Sequence, residues 1–229
     1  MDILSSLLDL IAPTECKIKG CNSPLKWNER YICSLCLNKI RPIEPPYCSK
    51  CGKPINEGRI CVECQRMRKY FSYARVYGRY EGVLKEAIHL FKYEKKRVLS
   101  NVLGELLDNI FDGKSDIHHI VPVPLSKKRK RERGFNQTEL LARVLSRKRG
   151  IPIFLGLLKV VDTPPQVGLP LRERKKNLKD SFVCKEYLNG NSVVLIDDVI
   201  TTGATVNECS KALLKAGAKR IFVLALSCA

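Results

Sequence analysis

Residues 193–205, VVLIDDVITTGAT, constrain the fold of this 229-residue chain more than any other stretch. Val193, Val194, Leu195 and Ile196 form a short, mostly β-branched apolar run that reads as a buried strand. Two adjacent carboxylates, Asp197 and Asp198, follow it. Thr201, Thr202, Gly203, Ala204 and Thr205 then stand just before a segment of helical periodicity over 206–216, with Gly217 as its stop. The first turn of a helix carries unpaired N–H groups and the positive end of the dipole, so such a turn attracts a phosphate. Small residues let the backbone come close, and the threonine hydroxyls add donors. The carboxylates suit the vicinal hydroxyls of a sugar and repel a bare phosphate, so they belong on the sugar side. The alternative, a buried strand ending in a solvated acidic turn, requires both acids and TTGAT to coincide at one strand-to-helix joint.

The stretch resembles the 5-phosphoribosyl-1-pyrophosphate (PRPP) motif of type I phosphoribosyltransferases. The resemblance implies PRPP binding by Asp197, Asp198, Thr201, Thr202, Gly203, Ala204 and Thr205.

The head of the chain sets a second constraint. Eight of the 11 cysteines fall within residues 16–64, and three of their four pairs are C-x-x-C. Two intervening residues let one tight turn present both sulfurs to a tetrahedral ion. Taken in order, the pairs give two four-thiolate sites, Cys16/Cys21/Cys33/Cys36 and Cys48/Cys51/Cys61/Cys64, and the expectation is a double zinc ribbon with two structural zinc ions. Cys16 and Cys21 are spaced more widely than the usual knuckle, so a degenerate first site or a crossed pairing stays open. A disulfide framework needs an oxidising compartment, which nothing in the chain supports. The segment has too few large apolar residues for a core of its own, so metal would largely fold it. Trp27, Tyr31 and Tyr47, near Lys26, Arg30 and Arg41, read chiefly as packing over the knuckles, with a base-stacking surface as the alternative.

Apolar residues make up 45% of the chain, enough for a packed core, and the length allows one medium domain beside a small one. We place the boundary in the basic bridge QRMRKY, giving 1–68 for the N-terminal helix and ribbons and 69–229 for the larger domain. The net charge of +18 points to polyanionic partners. No apolar run approaches the ~18–20 residues of a membrane span. The N-terminus lacks a basic n-region and Asp9 interrupts its apolar part, so no signal peptide is read. Ile3, Leu4, Leu7, Leu8 and Ile11 instead form one face of a short helix ended by Pro13. The expected location is cytoplasmic.

Between these two features, 73–80 reads as a strand leading into a helix over 82–92, with a second helix over 98–111. His89 reads as structural. Residues 120–124 read as a strand whose prolines lie at its end. Residues 127–133 carry six bases in seven positions and read as a mobile basic loop, able to fold over a pyrophosphate or bind a nucleic acid backbone. A helix follows through 147, and a basic helix over 169–178 comes after Pro164-Pro165. Residues 221–226 read as a strand parallel to 193–196 through a right-handed crossover. Lys92, Lys127, Arg133, Asn136 and Gln137 are the candidate pyrophosphate or nucleic acid contacts, with Gln166 and Asn177 as candidate hood contacts. Cys184, Cys209 and Cys228 lack metal spacing and read as small buried residues.

The cysteine pairs, FKYEKK (91–96), VPVPLSKKRKRERGFNQ (121–137), TPPQVGLPLRERKKNL (163–178) and VVLIDDVITTGAT together resemble the ComF/ComFC family across nearly the whole chain. The resemblance implies an α/β fold: a type I phosphoribosyltransferase-like parallel-sheet domain preceded by a small double zinc ribbon. It implies a competence or DNA-handling role on the cytoplasmic side, binding PRPP and single-stranded DNA, with other DNA-uptake proteins as partners. PRPP would bring Mg²⁺, held mainly by the substrate and water. Two alternatives remain: a phosphoribosyltransferase for a small base or amine, and a ligand sensor without catalysis. No catalytic residue and no acceptor base can be assigned from the sequence.

Overall fold

The computed structural model describes residues 14–113, 116–161 and 180–229. In chain order the elements are α1 (Ser34–Leu37), α2 (Val62–Arg66), β1 (Tyr73–Arg79), α3 (Gly82–Tyr93), α4 (Leu99–Asn109), β2 (His119–Pro122), α5 (Lys127–Arg133), α6 (Gln137–Arg149), β3 (Leu157–Lys159), β4 (Phe182–Cys184), β5 (Ser192–Ile200), α7 (Ala204–Lys215) and β6 (Arg220–Cys228). The expected helices over 3–11 and 169–178, with Gln166 and Asn177, lie outside the described residues.

Four strands form one sheet in the order β1-β6-β5-β2, every neighbour parallel. The central strands are apolar on both faces, as a sheet covered on both sides requires. Val194 and Ile196 of β5, with Phe222 and Leu224 of β6, face Leu84, Leu103 and Leu141 from α3, α4 and α6. Val193 and Leu195, with Ile221 and Val223, face Val206, Cys209 and Leu213 of α7. The result is an α/β/α sandwich. Pro122 ends β2, which borders the sheet, so its missing N–H costs little. β3 and β4 pair antiparallel as a separate small sheet.

Two expectations are corrected. β5 does not stop before the acidic pair but runs on to Ile200, because β6 is equally long and pairs with it through Ile200 and Cys228. The basic run is a helix, α5, and not a mobile loop. Ser126 caps its start by accepting the N–H of Arg129, and Gly134 closes it.

The head is not an appendage. Ile18, Tyr31, Ile32 and Ile40 of the first ribbon share one apolar core with Leu84, Ala87 and Ile88 of α3. The segment between the ribbons and the first turn of the second ribbon lie along the free edge of β1: Ile43 N–H donates to Tyr77 O at 2.6 Å, and Ala74 N–H donates to Lys50 O at 2.8 Å. These bonds cover an edge that would otherwise offer unpaired backbone groups to another chain.

Gly52 is where this contact is tightest. Its φ is +73°, and a Cβ there would lie 2.8 Å from Ala74 O. Gly52→Ala is therefore expected to cost about 1–3 kcal/mol. Urea unfolding followed by both far-UV circular dichroism and metal release checks this. The midpoint of the whole protein should fall in a single transition. An unchanged midpoint for the sheet domain would show that the head folds apart from it.

Candidate functional site

The acidic pair sits inside a strand, so the two side chains point to opposite faces. The even positions Val194 and Ile196 belong to the α3 side, and the odd positions Val193 and Leu195 to the α7 side. Asp198 accordingly meets Lys92 of α3, whose Nζ donates to Oδ1 at 2.7 Å. Asp197 faces the α7 side, and its Oδ1 accepts the backbone N–H of Asp198 at 2.9 Å. Both acids are buried. Burial first, and then the neighbouring charge of Asp198, push Asp197 up to about 7, against the opposing pull of Lys92.

Beyond β5 the chain turns through Gly203, whose φ of +71° suits glycine at the cap of α7. Thr202 Oγ1 accepts the N–H of Ala204 at 3.3 Å. Thr201 and Thr205 line a cleft of about 640 Å³ together with Asp197, Asp198 and Lys92. This volume falls in the ordinary range for small-molecule sites. Thr202 and Gly203 face away from the cleft, across a gap of about 10 Å³, toward Lys69 and Cys51.

α5 forms another wall. Arg129 and Arg133, one helical turn apart, line the cleft, while Lys127, Lys128, Lys130 and Arg131 are exposed on the outer side. Lys127 therefore lies outside the cleft lining, and Arg129, which sequence reasoning missed, takes part in it. The i, i+4 pairing is the signal that could have found it once the run was read as a helix. Lys95 and Lys159 also border the cleft.

Asn136 and Gln137 are buried and do not line the cleft; they hold it together. Asn136 Nδ2 donates to Val123 O at 3.2 Å, and Thr138 Oγ1 donates to the same carbonyl at 2.6 Å, tying α6 to the end of β2. Gln137 Oε1 accepts from Arg133 at 3.0 Å and so aims that guanidinium, which also lies over the Tyr93 ring. His89, exposed and tilted against the Tyr93 ring with centroids 5.0 Å apart, does not line the cleft.

The two cysteine clusters form in sequential order, Cys16/Cys21/Cys33/Cys36 and Cys48/Cys51/Cys61/Cys64, with the sulfurs of each within 4.8 Å of one another. Cys21 and Cys33 sulfurs are 3.7 Å apart, as are those of Cys51 and Cys61. Four thiolates about 2.3 Å from one tetrahedral zinc would be separated by about 3.8 Å, so both sites fit the ion. The wide Cys16–Cys21 spacing is no obstacle. Matching N–H bonds, from Cys33 to Cys16 Sγ and from Cys61 to Cys48 Sγ, support both sites. Without a cation the clusters conflict: burial pushes Cys51 up to about 12 and raises Cys36 and Cys64. A dication removes the conflict by binding all four as thiolates. Around the ribbons, Tyr31 is buried beneath Lys96, whereas Trp27 is 89% exposed and does not pack over its knuckle.

Two measurements follow from this geometry. Elemental analysis should find two zinc ions per chain, and Cys48→Ser should leave one; retention of both would contradict the second site. For Asp197 the sign is fixed by linkage. Its native pKa lies above the ordinary 3.8, so the native state holds a proton that the unfolded chain has lost. Stability therefore falls as pH rises from about 4 toward 7. Asp197→Asn should melt higher than the parent above pH 7 and lose that advantage below pH 4. A difference independent of pH would contradict the raised pKa.

Residues 7–65 match the double zinc ribbon domain family. Over 90% of its length the chain is 34% identical to competence protein F of Haemophilus influenzae and 31% identical to the DNA utilization protein YhgH of Escherichia coli K12, covering 94% of each. It is 28% identical to competence protein ComFC of Bacillus subtilis, over 84% of this chain and 81% of that one. Similar solved structures include the glutamine PRPP amidotransferase of B. subtilis (TM-score 0.39, 21% identity, 55% of this chain and 25% of that one). Another is an adenine phosphoribosyltransferase of Thermoanaerobacter pseudethanolicus (TM-score 0.38, 18% identity, 59% and 83%). With a parallel-sheet domain behind two four-cysteine clusters, and at this identity over nearly the whole of both chains, the protein belongs to the competence protein F (ComF) family.

Proposed function

We propose that the protein binds PRPP, or a closely related phosphoribosyl group, in the cleft and single-stranded DNA on its basic face, serving DNA uptake or utilisation on the cytoplasmic side. One observation carries the reading: the acidic pair, Lys92, the Thr201 and Thr205 turn and the two arginines of α5 meet in a single cleft. The turn suits the 5-phosphate through the start of α7 and the hydroxyls of Thr201 and Thr205, which line the cleft. Asp197 and Asp198 suit the ribose hydroxyls. Lys92, Arg129 and Arg133 face the pyrophosphate side. A hydroxyl donating to Asp198 would take over part of the role of Lys92 there, and the ammonium could then turn to a phosphate oxygen. The acids point to opposite faces and one is paired, so they make no protein cage for Mg²⁺. The ion would arrive on the pyrophosphate, supplying charge compensation.

The outer face of α5 supports the nucleic acid part. Its four exposed bases present a short row of charge to a phosphate backbone, a contact that should weaken steeply with salt. The names of the relatives, competence and DNA utilization proteins, favour the same role. Among the described residues no helix is long and apolar enough to cross a membrane.

A second reading is a phosphoribosyltransferase for a small base, favoured by the apolar border that Val123, Leu125 and the edge of the largely buried Phe182 give the cleft beside the acids. Pyrophosphate release from PRPP with a purine, pyrimidine or amine and no DNA would support it.

The proposal separates two surfaces, so two variants test it. Asp197→Asn/Asp198→Asn should abolish calorimetric binding of PRPP with Mg²⁺ and leave gel shifts of single-stranded DNA intact. Glutamate at Lys127, Lys128, Lys130 and Arg131 should weaken DNA binding by about tenfold or more at moderate salt and spare PRPP. DNA binding unchanged by the charge reversal, or PRPP binding unchanged by the double Asn variant, would overturn the corresponding half.

A further inference from the structure

The turn between β5 and α7 has a side that no ligand in the cleft can touch. Thr202 and Gly203 pack there against the segment that connects head and domain. Asn207, in the first turn of α7, grips that connector at two points. Its Oδ1 accepts the N–H of Tyr70 at 2.8 Å, and its Nδ2 donates to the carbonyl of Arg68 at 3.4 Å. The connector is in turn fixed to the second ribbon. Lys50 Nζ donates to Ser72 O at 3.0 Å and lies over the ring of Phe71. Cys51, a ligand of the second cluster, shares the small gap with Thr202 and Gly203. None of residues 68–72 lines the cleft, so any effect of this bracket on ligand binding must act through the placement of the turn.

A backbone cradle is sensitive to placement. Its N–H donors cannot rotate as a side chain can, so a displaced turn loses several bonds to a phosphoryl group together. We propose that Asn207 is a positioning residue. It locks the start of α7 to the connector, so that metal loading of the Cys48/Cys51/Cys61/Cys64 cluster sets the affinity of the turn for a phosphoryl group. This rests on reading Thr201 to Thr205 as the phosphate site. It makes the second ribbon part of that site's construction although it contributes no atom to the cleft. Loss of the metal would then reach the ligand through the connector and Asn207.

The test uses the full chain loaded with two zinc ions and two probes, ribose 5-phosphate and inorganic pyrophosphate, in calorimetric titrations. Asn207→Ala should weaken ribose 5-phosphate about five- to tenfold. It should leave pyrophosphate unchanged, because that probe faces Lys92, Arg129 and Arg133. Cys61→Ser should show the same selective loss, and the double variant should lose no more than either single variant. Asn207→Asp, which keeps the acceptor for Tyr70, should recover part of the loss. If Cys61→Ser fails to fold, faster backbone hydrogen exchange over 202–206 in Asn207→Ala with zinc content intact supplies the second readout. Equal loss of both probes, additive losses, or no loss in Asn207→Ala would overturn the inference. Parent protein that binds pyrophosphate but not ribose 5-phosphate would overturn the phosphate reading of the turn itself.

Discussion

The ion pair between Lys92 and Asp198 is the interaction on which the site depends. Two carboxylates on one buried strand are costly, because each is withdrawn from water and each repels the other. Lys92 compensates one of them at 2.7 Å. The other, Asp197, has only a backbone N–H and is left with a raised pKa. A buried ion pair is weak evidence of stability, since an apolar pair of similar volume often serves as well or better. Asp197 and Asp198 therefore make little sense as structural residues. On the function proposed above, they wait for a ligand with hydroxyls and charge of its own.

The rest of the domain keeps this expensive strand end in place. β6 matches β5 residue for residue to Ile200 and Cys228, so the acids are held in extended backbone and not in a loose turn. Asn136 and Thr138 anchor α6 to β2, and Gln137 fixes Arg133, so the basic wall stands at a set distance from the acids. The head closes the free edge of β1 and packs on α3, the helix that carries Lys92. The head thus touches the domain on both sides of the candidate site, the first ribbon at α3 and the second at the connector held by Asn207.

Much of this was legible in the sequence, for reasons that can be named. The strand, the turn and α7 were visible because apolar run, acids, TTGAT and Gly217 each point the same way. The eight metal ligands were visible because thiolate pairs two residues apart have few other uses, although only the fold could show that the pairs close in sequential order. Other features were hidden. The length of β5 depends on its partner β6, and no local pattern reveals a partner's length. The basic run reads as a loop on its charge alone, although the helix propensity of Lys, Arg and Glu and the Ser126 and Gly134 caps favour a helix. Only as a helix does α5 divide into a cleft face, Arg129 and Arg133, and an outer face. Trp27 was expected to pack, but the side of a knuckle an aromatic faces is set in three dimensions. Asn207 was not singled out at all, because its partners at Arg68 and Tyr70 lie more than 130 positions away.

The central claim is that the acidic pair is a ligand site and not a structural accident. Carbon-13 NMR of aspartate carboxyls, with Asp197 and Asp198 assigned by substitution, tests it most directly when titrated over pH with and without PRPP and Mg²⁺. Without ligand, Asp197 should titrate near 7. Ligand should shift both resonances and move the Asp197 midpoint well below that value, since a bound cation and sugar hydroxyls favour the carboxylate. Resonances and midpoint unchanged at saturating PRPP would contradict the claim and leave the basic surface and the ribbons to carry the function.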